Sequence, residues 1–157
     1  VPHRQRLLAA IEALLADGAR VSVLDNFASG KRENLPEHAS LRVIVGDVRD
    51  AAAVEGALDG VDRVLHLAAQ VSVQASVQAP VDSCAHNVVG FLNVLDGVRR
   101  RSIKRVVYAS SAAVYGTPRE LPLAETSPVG PLSPYGLEKS IDDQYAALYG
   151  ALYGVSA

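Results

Sequence analysis

The sequence predicts an α/β domain built on a mainly parallel sheet, and two observations carry that expectation. Short apolar runs alternate with helical stripes along the whole chain, the pattern of helices laid on parallel strands. The ends of those apolar runs also collect polar residues, namely Asp25, Asp47, the 66–70 segment and Ser110-Ser111. Ligands bind beyond the carboxyl ends of strands in such sheets, so four polar clusters are expected on one rim. A chain of 157 residues fits one domain with enough mass to bury a core. No repeat, low-complexity tract or interdomain linker divides it.

Each element has its own signal. Residues 5–16 carry Leu7, Leu8, Ile11, Leu14 and Leu15 at helical spacing, and Asp17-Gly18 stops them. Val21–Leu24 is a strand ending at Asp25-Asn26, and 27–37 is turn-rich, with room for one helical turn. Leu41–Val45 is a second strand, closed by Gly46-Asp47. Asp50 caps a helix over 51–58 that Asp59-Gly60 ends. Val64–Ala68 is a third strand, followed by a loop rich in Ser, Gln and Ala. Pro80 opens a long helix whose inner side is expected to be Cys84, Val88, Leu92, Leu95 and Val98. Arg105–Ala109 is the fourth strand. A loop with Pro118, Pro122, Pro128 and Pro131 follows, too rich in proline for regular structure. The last helix starts near Ser133-Pro134 and carries Tyr135, Lys139, Asp142, Tyr145 and Tyr149.

Composition excludes several classes. The chain is 49% hydrophobic and 20% charged with a net charge of −2, so it is globular and carries no electrostatic footprint for nucleic acid. Arg99-Arg100-Arg101 reads as a solvated helix terminus suited to the helix dipole. The single cysteine, Cys84, has no internal disulfide partner, which agrees with a reducing, cytoplasmic setting. No apolar run is long enough for a membrane span, and no signal-peptide pattern opens the chain. The four histidines share no ligand spacing, so no metal site is expected.

The chemistry concentrates at Tyr135 and Lys139, four residues apart just after Ser133-Pro134. On a helix such residues share a face, and an adjacent cation favours the phenolate. Tyrosine normally titrates near ~10 and needs that help to act as a base at neutral pH. A serine at the preceding strand end can turn its hydroxyl to the same place. Asp25 can accept hydrogen bonds from the two hydroxyls of a ribose, or be an ordinary strand-end turn residue. Asp47 can bond an adenine amino group or simply lead into the next helix. Ala68 and Ala69 are small enough to let a flat cofactor lie against backbone. His66 suits a packed core position better than a catalytic one. Asn87, a mediocre helix former, either bonds toward the site or faces solvent.

These stretches resemble the extended short-chain dehydrogenase/reductases in their NAD-dependent epimerase/dehydratase branch. The segments that carry the likeness are LLADGARVSVLDNFASGKRENL, GDVRD, HLAAQVSVQASVQAP, NVVGFLNVL, RVVYASSAAVYG and LSPYGLEKS. Within the branch the nearest look is to the UDP-hexose 4-epimerases. The resemblance implies a Rossmann-like doubly wound parallel sheet and NAD as cofactor. It makes Tyr135 the base, Lys139 its electrostatic partner and ribose anchor, and Ser111 the hydroxyl on the reacting sugar oxygen. Ser111 matches rather than Ser110, because the family's Ser/Thr lies four residues before the tyrosine of VYG, here Tyr115. Asp25 and Asn26 match the adenosine-ribose contacts, Asp47 and Val48 the adenine contacts, and Ala68-Ala69 the cofactor-lining backbone. Asn87, Tyr135 and Lys139 complete the expected cofactor set.

The two residues after Ser111 narrow the reaction. Sugar dehydratases of the branch usually carry Asp-Glu there, and decarboxylating relatives a glutamate at the second place. Ala112 and Ala113 supply no acid, which favours epimerisation of a nucleotide-sugar through a 4-keto intermediate. The branch commonly dimerises through its two long helices, here near 80–100 and 134–150.

Two departures qualify the likeness. The family's Gly-x-x-Gly-x-x-Gly slots fall on Val1, Arg4 and Leu7, and no glycine precedes Gly18. The strand before that loop and the segments that bind the nucleotide-sugar have no counterpart. Residues 1–157 are therefore expected to form a partial dinucleotide-binding domain, truncated at both ends, with a gap between the Val21 and Val64 strands. A catalytically inactive relative acting through binding or association is the alternative expectation.

Overall fold

The computed structural model describes residues 3–117 and 120–157; Val1 and Pro118 lie outside them. In order, the elements are helix α1 (His3–Ala16), strand β1 (Val21–Asp25), a 3₁₀ turn (Arg32–Asn34) and strand β2 (Leu41–Val45). Helix α2 (Ala51–Ala57), strand β3 (Arg63–His66) and helices α3 (Val73–Gln78) and α4 (Pro80–Cys84) follow. A π-helical turn (Ala85–Val89) then leads into helix α5 (Gly90–Arg100), strand β4 (Arg105–Tyr108), a 3₁₀ turn (Ala112–Tyr115) and helix α6 (Pro134–Tyr153).

All strand pairing among the described residues is parallel, as the alternation of elements predicts. β1 pairs with β2 with Val21 opposite Leu41, and β3 pairs with β4 with Arg63 opposite Arg105. Among the described residues the two pairs form separate sheets, so the expected gap between β1 and β3 is present. On the far side of β4 the chain begins a further parallel pairing. Val106 N–H donates to Ser156 O and Ser156 N–H to Lys104 O, each at 2.8 Å.

Two cores match the two sheets. The larger joins Val54 of α2 and Leu58 at its C-cap, Phe91, Val94, Leu95 and Val98 of α5, and Val106 of β4, with Ala146 and Val155 also in it. The smaller packs Ile11 and Leu15 of α1 on Val23 of β1. Helix starts follow the predicted caps. Asp50 accepts from Ala52 N–H, and Ser133 accepts from Gly136 N–H with Pro134 at the first helical position.

Three expectations need correction. The loop rich in Ser, Gln and Ala contains α3, because Ser72 caps it by accepting from Ala75 N–H. β3 ends at His66 rather than Ala68. The long helix is interrupted by the π turn, whose extra residue rotates its inner face. Cys84 is exposed and Leu92 half-buried, while Ser83, Asn87, Phe91 and Val94 face inward. π turns inside helices frequently fall at functional positions, and this one carries Asn87.

Candidate functional site

The first turn of α6 is docked with unusual completeness. Tyr135 N–H donates to Ser76 Oγ at 3.1 Å, and Ser76, fully buried on α3, donates to Val73 O at 2.7 Å. Leu137 N–H reaches Ser133 O. Gly136 then lets the helix approach the turn after β4, since a Cβ there would stand 2.6 Å from the Ala113 carbonyl oxygen. The same turn begins at Ser111, whose Oγ accepts from Ala113 N–H at 3.2 Å. The local sequence thus brings the Ser111 turn against the helix that carries Tyr135 and Lys139. Ser110 faces elsewhere: its hydroxyl donates to Asp143 Oδ2 at 2.9 Å, and Tyr108 Oη donates to Asp143 Oδ1 at 2.8 Å. Burial, and then the adjacent carboxylate, push the Tyr108 phenol well above its ordinary range.

Tyr135 and Lys139 line one recess together with His66, Leu67, Ala68, Ala69, Val71 and Ala109. The alanines make the floor of this shallow recess small and apolar. His66 is packed, as expected, with its ring 5.2 Å from that of Phe91, yet its Nε2 is buried with no hydrogen-bond partner among the described residues. Burial, aided by the nearby Lys139 charge, lowers the imidazole to about 4, so it is neutral at pH 7.

A buried polar network holds the recess loop from behind. Asn87 Oδ1 accepts from Gln70 N–H at 2.8 Å, and its Nδ2 donates to Gln70 O at 3.0 Å and to Glu138 Oε2 at 2.6 Å. Ser83 Oγ also donates to Glu138 Oε2, at 2.8 Å. Both amide hydrogens of Asn87 are therefore used by protein acceptors, and the side chain grips the loop beside the recess. Beyond Glu138, Lys139 Nζ lies 3.0 Å from Asp142 Oδ2.

The second cluster stands at the carboxyl ends of β1 and β2. Asn26 Nδ2 donates to Asp47 Oδ2 at 2.9 Å, and Arg49 grips both Asp47 oxygens at 3.0 and 2.9 Å. The Arg49 guanidinium holds the Asp47 carboxyl well below the usual carboxylate range. Arg49 also reaches Asp82 of α4 at 3.2 Å, which ties this cluster to the helix leading into Asn87. Asp25 Oδ1 accepts from Phe27 N–H at 2.7 Å, and Asn93 of α5 donates to the Val48 carbonyl at 2.9 Å. Asp25, Asn26, Asp47 and Val48 thus form one group, while Tyr135, Lys139, Ala68 and Ala69 line the recess; Ser111 sits in the turn packed on α6 and is not among the lining residues. Sequence reasoning passes over Ser76, Ser83, Glu138, Asp143, Arg49 and Asn93. A signal exists for Glu138, which with Tyr135, Lys139, Asp142 and Ala146 repeats at the three–four spacing of one helix face.

A parallel α/β sheet with a helix-borne Tyr-x-x-x-Lys pair at its strand ends defines a Rossmann-like domain of the short-chain dehydrogenase/reductase type. Residues 9–157 match the profile of the NAD dependent epimerase/dehydratase family. The chain belongs to that family. It is 36% identical over 148 residues to the UDP-glucose 4-epimerase of Corynebacterium glutamicum, covering 94% of this chain and 44% of that one. It is 37% identical over 150 residues to the UDP-glucose 4-epimerase of Mycolicibacterium smegmatis, covering 91% and 47%. Among solved structures, the UDP-glucose 4-epimerase of Thermus thermophilus in complex with NAD superposes with a TM-score of 0.86 at 40% identity, over 92% of this chain and 47% of that one. The UDP-N-acetylglucosamine 4-epimerase of Methanobrevibacter ruminantium in complex with UDP-N-acetylmuramic acid gives the same TM-score at 36% identity and the same coverage. The chain spans about half the length of the curated relatives it matches.

Proposed function

We propose that this chain carries the acid–base half of an NAD-dependent nucleotide-sugar 4-epimerase of the UDP-glucose type. The observation that supports it best is the recess, where Tyr135 and Lys139 share one helix face beside the Ser111 turn and an alanine floor. The 4-epimerase names of the relatives support the substrate class.

The residues present fit a dinucleotide at both of its ends. Asp25 and Asn26 would hold the adenosine ribose, and Asp47, pinned by Arg49, the adenine. Ala68 and Ala69 would lie against the nicotinamide, and Lys139 would bond its ribose. The buried Nε2 of His66 is a polar atom that a ligand in the recess can partner. The middle does not fit. Residues 3–16 are helical and contain no glycine, so they offer no close backbone approach for a diphosphate.

In this reading Tyr135 removes the proton of the sugar 4-hydroxyl and later returns it. Lys139 stabilises the phenolate, and Ser111 donates to the oxygen that becomes the ketone. NAD, when bound, supplies the acceptor and donor of the hydride. Ala112 and Ala113 place no acid beside the sugar, which disfavours dehydration and decarboxylation.

A second reading is a non-catalytic relative acting through association, and helix α1 covering the expected glycine slots at Arg4 and Leu7 is the observation that favours it. Exposed apolar residues on the helices near 80–100 and 134–150 support a homodimer in either reading, among them Val81 at 84% and Leu137 at 51% exposure. No helix among the described residues is long and apolar enough to cross a membrane, and we place the protein in the cytoplasm. Calorimetric titration with NAD separates the readings: heat at millimolar NAD is expected for the enzyme, and none for the association module. Interconversion of UDP-galactose and UDP-glucose then tests the sugar.

A further inference from the structure

We infer that Asp142 is a positioning residue for the acid–base pair: as the buried counter-ion of Lys139, it sets how much of the ammonium charge reaches Tyr135. The inference rests on the reading of Tyr135 and Lys139 as that pair. Lys139 Nζ and Asp142 Oδ2 are 3.0 Å apart, with side chains only 4% and 1% exposed. So enclosed a pair is hardly screened by solvent, and removing one member leaves the other charge uncompensated. Among the described residues Asp142 is the hydrogen-bond partner of the ammonium. Lys139 and Tyr135 line the recess, whereas Asp142 does not; it reaches the lysine from behind, three residues further along the same helix face.

The other Asp142 oxygen, Oδ1, is buried with no partner among the described residues. Lys139 is therefore the group that keeps the carboxylate ionised, against burial and against Asp143 and Glu138 on the same helix, and the balance pushes Asp142 up to about 6. The remaining groups that feel this charge set are His66 from β3, Cys84 from α4 and Tyr108 from β4. A cation beside a phenol favours the phenolate. An ionised Asp142 offsets part of that cation; a neutral residue at 142 leaves the full charge to act on Tyr135.

The test is a pH titration by NMR of the chain labelled with ¹³C at tyrosine Cζ, the Tyr135 signal being assigned with Tyr135→Phe. Asp142→Asn should move the Tyr135 midpoint down by about half a unit or more, roughly threefold in the ionisation constant. An unmoved or raised midpoint in a folded variant overturns the proposal. The shift should vanish when Asp142→Asn is made in Lys139→Met, and its persistence there would show that Asp142 does not act through the lysine. Should Asp142→Asn not fold, the unaltered chain decides: the Lys139 Cε signal should move as its partner titrates between about pH 3 and 7, and a signal flat throughout overturns the inference. NAD titration of the same samples reports on the epimerase reading separately, since the tyrosine shift needs no cofactor.

Discussion

His66 and Asp142 show how single buried groups write a pH dependence into the fold. The folded state holds His66 neutral down to about 4, below the ordinary 6.5. The unfolded chain therefore binds more protons in that window, and the stability His66 contributes is complete above 6.5 and lost as pH falls toward 4. Asp142 has the opposite sign. Its folded carboxyl titrates near 6 rather than 3.8, so stability is lost as pH rises through that range. Unfolding free energies from urea titration of His66→Gln at pH 4.5 and 7 should differ less than those of the unaltered chain, by about 2 kcal/mol. An unchanged difference would mean that the imidazole is already charged in the fold.

At the scale of elements, the site depends on how closely α6 approaches the turn after β4. Gly136→Ala would put a Cβ 2.6 Å from the Ala113 carbonyl oxygen, and backbone cannot yield as a flexible side chain would. A loss of about 1–3 kcal/mol is expected in denaturant unfolding. Gly56 in α2 is the control, since a Cβ there meets nothing within 4 Å. Gly56→Ala should be neutral or gain up to about 1 kcal/mol from helix propensity.

The Asn87 grip on Gln70 makes a second prediction at this scale. Asn87→Ala leaves the Gln70 amide and carbonyl without partners, each costing about 1–3 kcal/mol if it stays buried. The loop at 67–71 should detach rather than bear that cost, so the Gln70 amide should exchange hydrogen much faster while α5 remains protected. Equal loss of protection in both would indicate general destabilisation instead. Sequence spacing makes Tyr135, Lys139 and the caps legible here, because those signals are local. It misses α3 and the turned inner face of the 80–100 helix for a physical reason: Ser76, Ser83 and Asn87 are polar residues on buried faces. Their burial is stabilised by partners from Tyr135 to Glu138, at least 51 positions away along the chain.

The molecule as a whole has two cores of unequal size. The larger one, around Phe91, Leu95 and Val106, is sandwiched by α2, α5 and α6. The smaller, Ile11, Leu15 and Val23, joins α1 to a two-stranded sheet that, among the described residues, shares no strand pairing with β3 and β4. Local unfolding free energies follow such differences in burial. Native-state hydrogen exchange should release the amides of α1, β1 and β2 before those of α5, and a single common rate for all four would show that the two cores unfold as one. The surface ties between the halves, such as Arg49 to Asp82 at 3.2 Å, are exposed and contribute little to holding them together.

By itself the sequence determined the class of fold, the parallel order of its elements and the residue types at the strand ends. It also marked the Tyr-x-x-x-Lys pair and the absence of glycine before Gly18. These are short-range properties, set by periodicity, capping chemistry and turn residues. Only the tertiary structure decided that Asn87 grips the loop beside the recess, that Ser110 is engaged by Asp143, and that Lys139 is held by Asp142. Each of these depends on which donors and acceptors meet after helices fold back on strands. A polar group removed from water takes the partner that packing brings within reach, and linear order does not specify that partner.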